Sequence, residues 1–122
     1  MNGQIGLVRI DVQQHRSVPV CGVRGELDAS NVDDVLGQVV AAVPNDAPGL
    51  ALDLTHTEYL DSAGVRILFE LARRLRARRQ ELRIVVPPDG IVRRVLVLTA
   101  LADVVPIDDD VAEAVDALQA RA

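Results

Sequence analysis

The feature that most constrains this chain is a strand that turns into a helix between Leu50 and Leu75. Apolar residues alternate with small or polar ones over residues 50–55, which is typical of a β-strand with one packed face. Apolar residues then recur at steps of three and four, as on one stripe of a helix: Val65, Leu68, Phe69, Ala72 and Leu75. The chain must therefore turn from strand to helix within residues 61–64.

That turn has the sequence Asp61-Ser62-Ala63-Gly64. The first N–H groups of a helix have no partner inside the helix, and the helix dipole makes this end locally positive. It is a favourable position for an anion, including a phosphate carried by Ser62 itself. The residues alone favour a plain helix cap without chemistry, because serine is a common cap. Either Ser62 or Asp61 could form it, and the second choice leaves Ser62 exposed in the first turn.

Strand and helix patterns alternate along the rest of the chain. Strands over residues 8–12 and 18–24 are expected to form an opening hairpin. A helix then begins near Ser30, with Ser30 and Asp33 spaced as in a capping box. After the central strand and helix, the pattern predicts a strand over 82–86, a short helix over 91–98, a short strand over 104–107 and a closing helix after Asp110.

This order indicates an α/β fold class. Because helical crossovers make the later strands parallel, we expect a mixed β-sheet, with an opening hairpin followed by parallel strands, and about four helices. The length of 122 residues suits a single domain over residues 1–122.

Charge and lysine content exclude several function classes. The net charge is −5, and nine arginines but only three acids lie in residues 62–94. An acidic protein with one basic helix is a poor candidate for direct nucleic-acid binding. The chain contains no lysine, which excludes Schiff-base chemistry and a P-loop. The arginine-rich helix face is interpreted either as a solvated surface or as a charged docking face.

Cellular location is predicted from apolar runs and cysteine content. No apolar run approaches the ~20 residues of a membrane span, and the N-terminus lacks an export signal. Cys21 is the single cysteine, which rules out an internal disulfide and fits a reducing cytosol. Its position in a strand indicates a small buried hydrophobe. We expect a cytoplasmic protein without membrane insertion.

The sequence gives little indication of a catalytic site or a metal site. A nucleophilic Ser62 needs a base, and the only histidines, His15 and His56, are expected in solvated loops. Because His56 is near Ser62 in sequence, a pair of His56 as base and Ser62 as nucleophile remains an alternative. Because histidine and cysteine do not cluster, no metal site is predicted. We predict a protein that is not an enzyme and uses no cofactor.

Three segments match a known family. They are GELDASN at residues 25–31, YLDSAGVRIL at 59–68 and VLTALADVVPIDDDVAEAVDAL at 97–118. Through them the chain resembles the STAS domain, and within it the anti-sigma factor antagonists of bacteria. The resemblance covers essentially the whole chain in the same order of elements.

The resemblance implies a STAS-like fold and a site. It implies that Ser62 is the phosphorylated serine and that the GELD loop lies beside it. The implied partner-binding residues are Asp28, Ser30, Asn31, Asp61, Ala63, Gly64 and Arg66. Two of them depart from the family pattern. Some relatives carry a second hydroxyl where this chain has Ala63, and small or apolar residues are common where it has Arg66.

The resemblance also implies a partner. This is an anti-sigma factor with serine kinase activity, which binds the unphosphorylated antagonist, phosphorylates it and then releases it. While bound, it is sequestered from its sigma factor. A phosphatase would be a second partner. The alternative function is a constitutive STAS interaction subunit of a transporter or of a stress-signalling assembly.

Overall fold

The computed structural model describes residues 2–5 and 8–122. The strands of this part are β1 Asn2–Ile5, β2 Val8–His15, β3 Val18–Leu27, β4 Gly49–Asp53, β5 Thr57–Leu60, β6 Glu81–Val85 and β7 Ile107–Asp108. The helices are α1 Val32–Ala41, α2 Ser62–Ala77, α3 Ile91–Leu98 and α4 Val111–Gln119, and a 3-10 turn covers Leu101–Asp103. The predicted α/β class with a mixed sheet and four helices is confirmed.

The strands form one sheet in the order β1-β2-β3-β4-β6-β7, with β5 also paired to β3. β1, β2 and β3 are antiparallel, so the expected opening hairpin of β2 and β3 is confirmed. β4, β6 and β7 follow in parallel. This parallel order follows from the helical crossovers that separate these strands in the chain.

The long strand β3 has two successive partners on one side. Its residues 20–22 pair with β4, and its residues 25–27 pair with β5. The register shifts between Gly25 and Glu26, and Gly25 has a φ of 109°, a left-handed conformation that favours glycine. Between β4 and β5 the chain makes a short turn, in which Thr57 N donates to Leu54 O at 3.0 Å. As a result, β5 ends beside the end of β3.

The core has a part on each face of the sheet. On one face, α1, α2 and α3 cover the inward residues of the sheet, among them Ile10, Leu50, Leu52 and Ile84. On the other face, α4 packs Ala114, Val115 and Leu118 against Val18, Val20, Ala51 and Val85. Apart from one half-exposed phenylalanine, Phe69, this core is aliphatic. Across the described ranges, no helix has the length and apolar character needed to span a bilayer.

Helix α2 is defined by local signals at both ends. Asp61 is its N-cap, and its side chain accepts from Gly64 N. At the other end, Arg79 adopts a φ of 60° and Gln80 N donates to Leu75 O at 2.8 Å, which closes the last turn. The apolar stripe is buried as predicted at Val65, Leu68 and Leu75, but Phe69 is 37% exposed and lies at the edge of the stripe.

Four details of the sequence prediction are wrong or incomplete. The second strand continues past Arg24 to Leu27 because β5 pairs with its end. The capping box is absent, since the Ser30 hydroxyl donates to Asp28 and the N-cap position of α1 is Asn31. The predicted strand over 104–107 is reduced to Ile107–Asp108 behind the 3-10 turn. Strands β1 and β5 were not predicted at all.

Candidate functional site

The N-terminus of α2 lies where β3 and β5 both end. Leu27 pairs with Leu60, and Asp61 N donates to Leu27 O at 3.3 Å. The loop after β3, residues 28–31, and the turn before α2, residues 61–64, are therefore neighbours at one edge of the sheet. We call the surface formed by these two loops the Ser62 corner. The structure brings together the two segments on which the predicted site depends.

Asp61 connects the two loops through its carboxylate. Oδ1 accepts from Gly64 N at 2.9 Å and caps α2, whereas Oδ2 accepts from Ala29 N at 3.4 Å in the neighbouring loop. Of the two caps that the sequence allowed, the structure has Asp61. The main chain adds a first helical bond, from Val65 N to Asp61 O at 3.0 Å.

Ser62 is exposed in the first turn of α2. Within the described part of the chain, its hydroxyl makes no hydrogen bond, and the backbone N–H groups of Ser62 and Ala63 have no acceptor. The two following N–H groups are satisfied by Asp61. The corner therefore combines a free hydroxyl with two free donors at the positive end of a 16-residue helix.

The loop after β3 is held by its own side chains. Asp28 Oδ1 accepts from Ser30 N at 2.9 Å and from Ser30 Oγ at 2.6 Å. Asn31 is only 2% exposed; its amide donates to Glu26 O at 2.8 Å and its Oδ1 accepts from Asp28 N at 3.1 Å. Ser30 thus lies at the surface with Asp28 half-buried beside it, whereas Asn31 supports the loop from beneath.

Gly64 allows the two loops to approach each other. A Cβ atom at this position would lie 2.8 Å from Leu27 O and 2.9 Å from Leu60 Cβ, distances that real Cβ atoms do not adopt. The glycine is therefore required by close packing. Ala63 is half-buried against the core beside it.

Arg66 is exposed on the first turns of α2 and faces α1. Its Nη2 lies 3.7 Å from Asp33 Oδ1, and both side chains are largely exposed. Such a pair contributes at most about 1 kcal/mol and leaves the guanidinium available for other contacts. Arg66 thus extends the Ser62 corner toward the N-terminus of α1.

The model of the family described as the STAS domain matches residues 9–114, which is most of the chain. The chain belongs to the STAS domain family. A 64-residue stretch of this STAS domain is 34% identical to the anti-sigma-F factor antagonist RsfB of Mycobacterium tuberculosis. The match covers 50% of each protein, so the matched region spans about half the length of that curated relative.

Solved structures share the fold. The STAS domain aligns with the crystal structure of an anti-sigma factor antagonist from Mycobacterium paratuberculosis with a TM-score of 0.82 and 27% identity, over 92% of this chain and 94% of the other. The Bacillus cell fate determinant SpoIIAA in its phosphorylated form aligns with a TM-score of 0.63 and 20% identity, over 89% and 98% of the two chains. At that identity the second likeness concerns the fold alone.

Tyr59 is a residue of this STAS domain that the sequence analysis did not place in the site. It lies on β5, opposite Glu26 of β3 and two residues before Asp61, and it is 46% exposed. Helix α3, with exposed Ile91 and Leu98, packs beside β5. The sequence signal was present in the isolated aromatic residue before the D-S-x-G segment, but its exposure depends on β5, which was not predicted.

The structure separates Ser62 from both histidines. His56 precedes β5 and Ser62 follows it, and four strand residues at ~3.3 Å each extend over ~13 Å. The two side chains therefore lie beyond hydrogen-bonding distance. His15 ends β2, away from the corner, and contacts Gln13. Among the residues described, no three His, Cys, Asp or Glu side chains are grouped as a metal ion would require.

Proposed function

We propose that this STAS domain is an anti-sigma factor antagonist switched by phosphorylation of Ser62. In its unphosphorylated form it binds an anti-sigma factor with serine kinase activity, and the sigma factor of that partner becomes free. The observation that carries the proposal is the exposed Ser62 hydroxyl at the open N-terminus of α2, beside the Asp28 loop. The antagonist role of RsfB and of the M. paratuberculosis protein supports it.

The corner suits a phosphate without a change of fold. The free N–H groups of Ser62 and Ala63 can donate to phosphate oxygens, and the helix dipole stabilises negative charge there by roughly 0.3–1 kcal/mol, up to ~2 when partly buried. Because Ser62 makes no side-chain hydrogen bond within the described residues, modification breaks no internal contact. The effect of the phosphate must therefore act on the partner.

Repulsion and size explain how the phosphate would release the partner. The modification adds about −1.5 to −2 charges beside Asp61, with Asp28 in the adjoining loop. Two unit charges ~4 Å apart interact by ~1 kcal/mol in water and ~4 kcal/mol at the effective dielectric constant of a protein surface. An acidic or closely packed partner surface would thus lose a few kcal/mol, a 10²-fold or greater fall in affinity.

The partner-binding surface we propose has exposed and supporting residues. Ser30, Arg66 and Tyr59 are exposed, Asp28 is half-buried beside Ser30, and these four would touch the partner. Asp61 and Gly64 hold the two loops together, Asn31 supports the loop after β3, and Ala63 supplies one of the free N–H groups. The function requires binding and no chemistry by the STAS domain itself. A phosphatase that removes the phosphate would restore binding.

Mass spectrometry after incubation with ATP and an anti-sigma kinase of the same organism tests the acceptor. We expect a single phosphate on Ser62, and none on the Ser62→Ala variant. Ser30→Ala is the matched control, since Ser30 is the exposed hydroxyl of the neighbouring loop and its hydroxyl is bound to Asp28. A phosphate on Ser30, Thr55 or Thr57 would assign the acceptor elsewhere.

Calorimetric affinities for the same kinase test the switch. Unphosphorylated wild type and Ser62→Ala should bind alike, because alanine retains the small contact and cannot be modified. Phosphorylated wild type should bind at least 10²-fold more weakly, with Ser62→Glu between them. Equal affinities across the series would exclude the switch and leave a constitutive interaction subunit as the function.

A further inference from the structure

We propose that the opposite end of α2 carries a second binding site, for a small phosphate monoester. The site is a pocket of about 290 Å³ between the C-terminus of α2, the start of β6 and the segment that precedes β7. A 16-residue helix is ~24 Å long, so the pocket is remote from Ser62. The inference does not depend on the proposed function.

The pocket wall carries an excess of positive charge. Three of its side chains are guanidinium groups, from Arg76, Arg79 and Arg121. Throughout the described residues, Arg76 and Arg79 have no carboxylate within 4.0 Å, and the guanidinium of Arg121 donates only to the Pro48 carbonyl at 2.7 Å. The one carboxylate of the wall, Glu81, is already paired with Arg83 at 2.8 Å.

The backbone of Arg79 is a second observation. With a φ of 60° it occupies the left-handed position after a helix, where glycine is usual because a Cβ atom is disfavoured. Its guanidinium makes no hydrogen bond within the described part, whereas its neighbour Arg78 donates to Val43 O and to Asn45 Oδ1. Arg79 thus has a backbone conformation that favours glycine, and among the described residues its guanidinium makes no hydrogen bond that stabilises the fold. We infer that the side chain binds a ligand.

Gln80 supplies a third observation. It lines the pocket, is only 4% exposed, and its amide nitrogen donates to Pro44 O at 2.8 Å and to Ala47 O at 3.0 Å. These bonds fix the orientation of the amide, and they leave Oε1 as a buried acceptor with no donor among the described residues. Because this oxygen is closed to solvent, a ligand cannot reach it, and Gln80 contributes a rigid wall beside Arg79 rather than a ligand contact.

The helix dipole alone does not explain the cluster. Cations are favourable near a helix C-terminus, which accounts for Arg74 and Arg76 in the last turn of α2. Arg121, however, follows α4, a different element, and the dipole gives no reason for a left-handed Arg79. Guanidinium groups match the planar oxygen pairs of a phosphate, and the volume is at the lower end for small-molecule pockets.

Calorimetric titration with glycerol 3-phosphate tests the site, with glycerol as the uncharged control. We expect saturable binding of glycerol 3-phosphate and none of glycerol. Arg79→Gly removes the guanidinium and suits the φ of 60°, so this variant should stay folded and bind at least tenfold more weakly. Arg94→Ala, which removes an exposed arginine of α3 outside the pocket, should bind within twofold of wild type.

Four results would overturn the proposal. One is no binding of glycerol 3-phosphate by the wild type at millimolar concentration. Another is an equal loss in Arg79→Gly and Arg94→Ala, which would indicate unspecific attraction. The third is binding to vesicles that contain phosphatidic acid but not to free glycerol 3-phosphate, which would assign the phosphate to a lipid surface. Ser62→Glu should bind like wild type; if it does not, the phosphate occupies the Ser62 corner.

Discussion

At the scale of single residues, Gly64 determines how closely the two loops of the Ser62 corner can approach. In Gly64→Ala the new Cβ would meet the main-chain oxygen of Leu27 at 2.8 Å, which a rigid carbonyl cannot avoid. We expect a loss of about 1–3 kcal/mol in the free energy of unfolding, measured by urea denaturation. The control is Gly37→Ala on the exposed side of α1, where a Cβ meets nothing within 4 Å.

That control should gain about 0.5–1 kcal/mol, since alanine is the better helix former. Opposite signs for two glycine-to-alanine changes would separate the packing role of Gly64 from backbone propensity. A stabilised Gly64→Ala protein would contradict the close approach of the loops.

Cys21 gives a prediction about pH. Burial raises the pKa of this thiol to about 12, with Asp11 as a smaller cause. The unfolded thiol ionises near pH 9, so at higher pH the unfolded chain gains a thiolate that the folded chain does not. The free energy of unfolding should therefore fall between pH 9 and 12, and this part of the fall should be absent in Cys21→Ala. At pH 8 the native thiol should not react with a disulfide reagent, whereas the urea-unfolded thiol should.

At the scale of elements, local signals were readable from the sequence and pairing between distant strands was not. The apolar stripe that ends at Leu75 and the polar turn at residues 61–64 predicted both ends of α2 to within two residues. They could do so because capping and periodicity are local properties of the sequence. Strand β5 was missed because it forms by pairing with the end of β3, 32 to 33 residues earlier in the chain, and because the register shifts at Gly25. The predicted capping box does not form because the Ser30 hydroxyl donates its hydrogen bond to the Asp28 carboxylate instead.

The candidate site was predictable to a similar degree. Ser62 and the GELD loop were named from the sequence, and the structure places the two loops side by side. The burial of Asn31 was not predictable, since it depends on the Glu26 carbonyl that the longer β3 brings within reach. The pocket at the C-terminal end of α2 could not be predicted either, because Arg79 and Arg121 are distant in sequence and only the tertiary fold brings them together.

Strand β7 has only two residues, and a side chain helps to hold it. Arg83 on β6 donates to both oxygens of Asp108, at 2.8 and 3.0 Å, and these bonds raise the pKa of the guanidinium. In Arg83→Ala the half-buried Asp108 loses its partner, so we expect a loss of about 1.5–3 kcal/mol in stability. Hydrogen exchange at the Val86 amide, which donates to Asp108 O at 3.1 Å, should accelerate.

The control for this change is Arg73→Ala. Arg73 pairs with Glu70 on the exposed side of α2, so its removal should cost less than about 1 kcal/mol and leave Val86 exchange unchanged. Equal effects of the two substitutions would show that Arg83 does not hold β7.

At the scale of the whole molecule, phosphorylation of Ser62 should leave the fold in place. The free energy involved at a helix N-terminus is small, and for a domain of this size 1 kcal/mol changes the melting temperature by about 3–6 °C. We therefore expect the melting temperature of the phosphorylated form, measured by calorimetry, to lie within about 6 °C of the unmodified form. A much larger fall would mean that the phosphate acts by unfolding the domain.

The exposed Tyr59, on the strand that leads into the Ser62 corner, makes this surface accessible to fluorescence spectroscopy. The chain contains no tryptophan and one tyrosine, Tyr59, so its near-ultraviolet emission comes from one ring beside Ser62. A protein that covers the corner would change the solvent around this ring, and a nearby phosphate dianion would change its quenching. No label is therefore needed, and with a partner that contains neither tyrosine nor tryptophan the emission of Tyr59 would report how much of the corner is occupied.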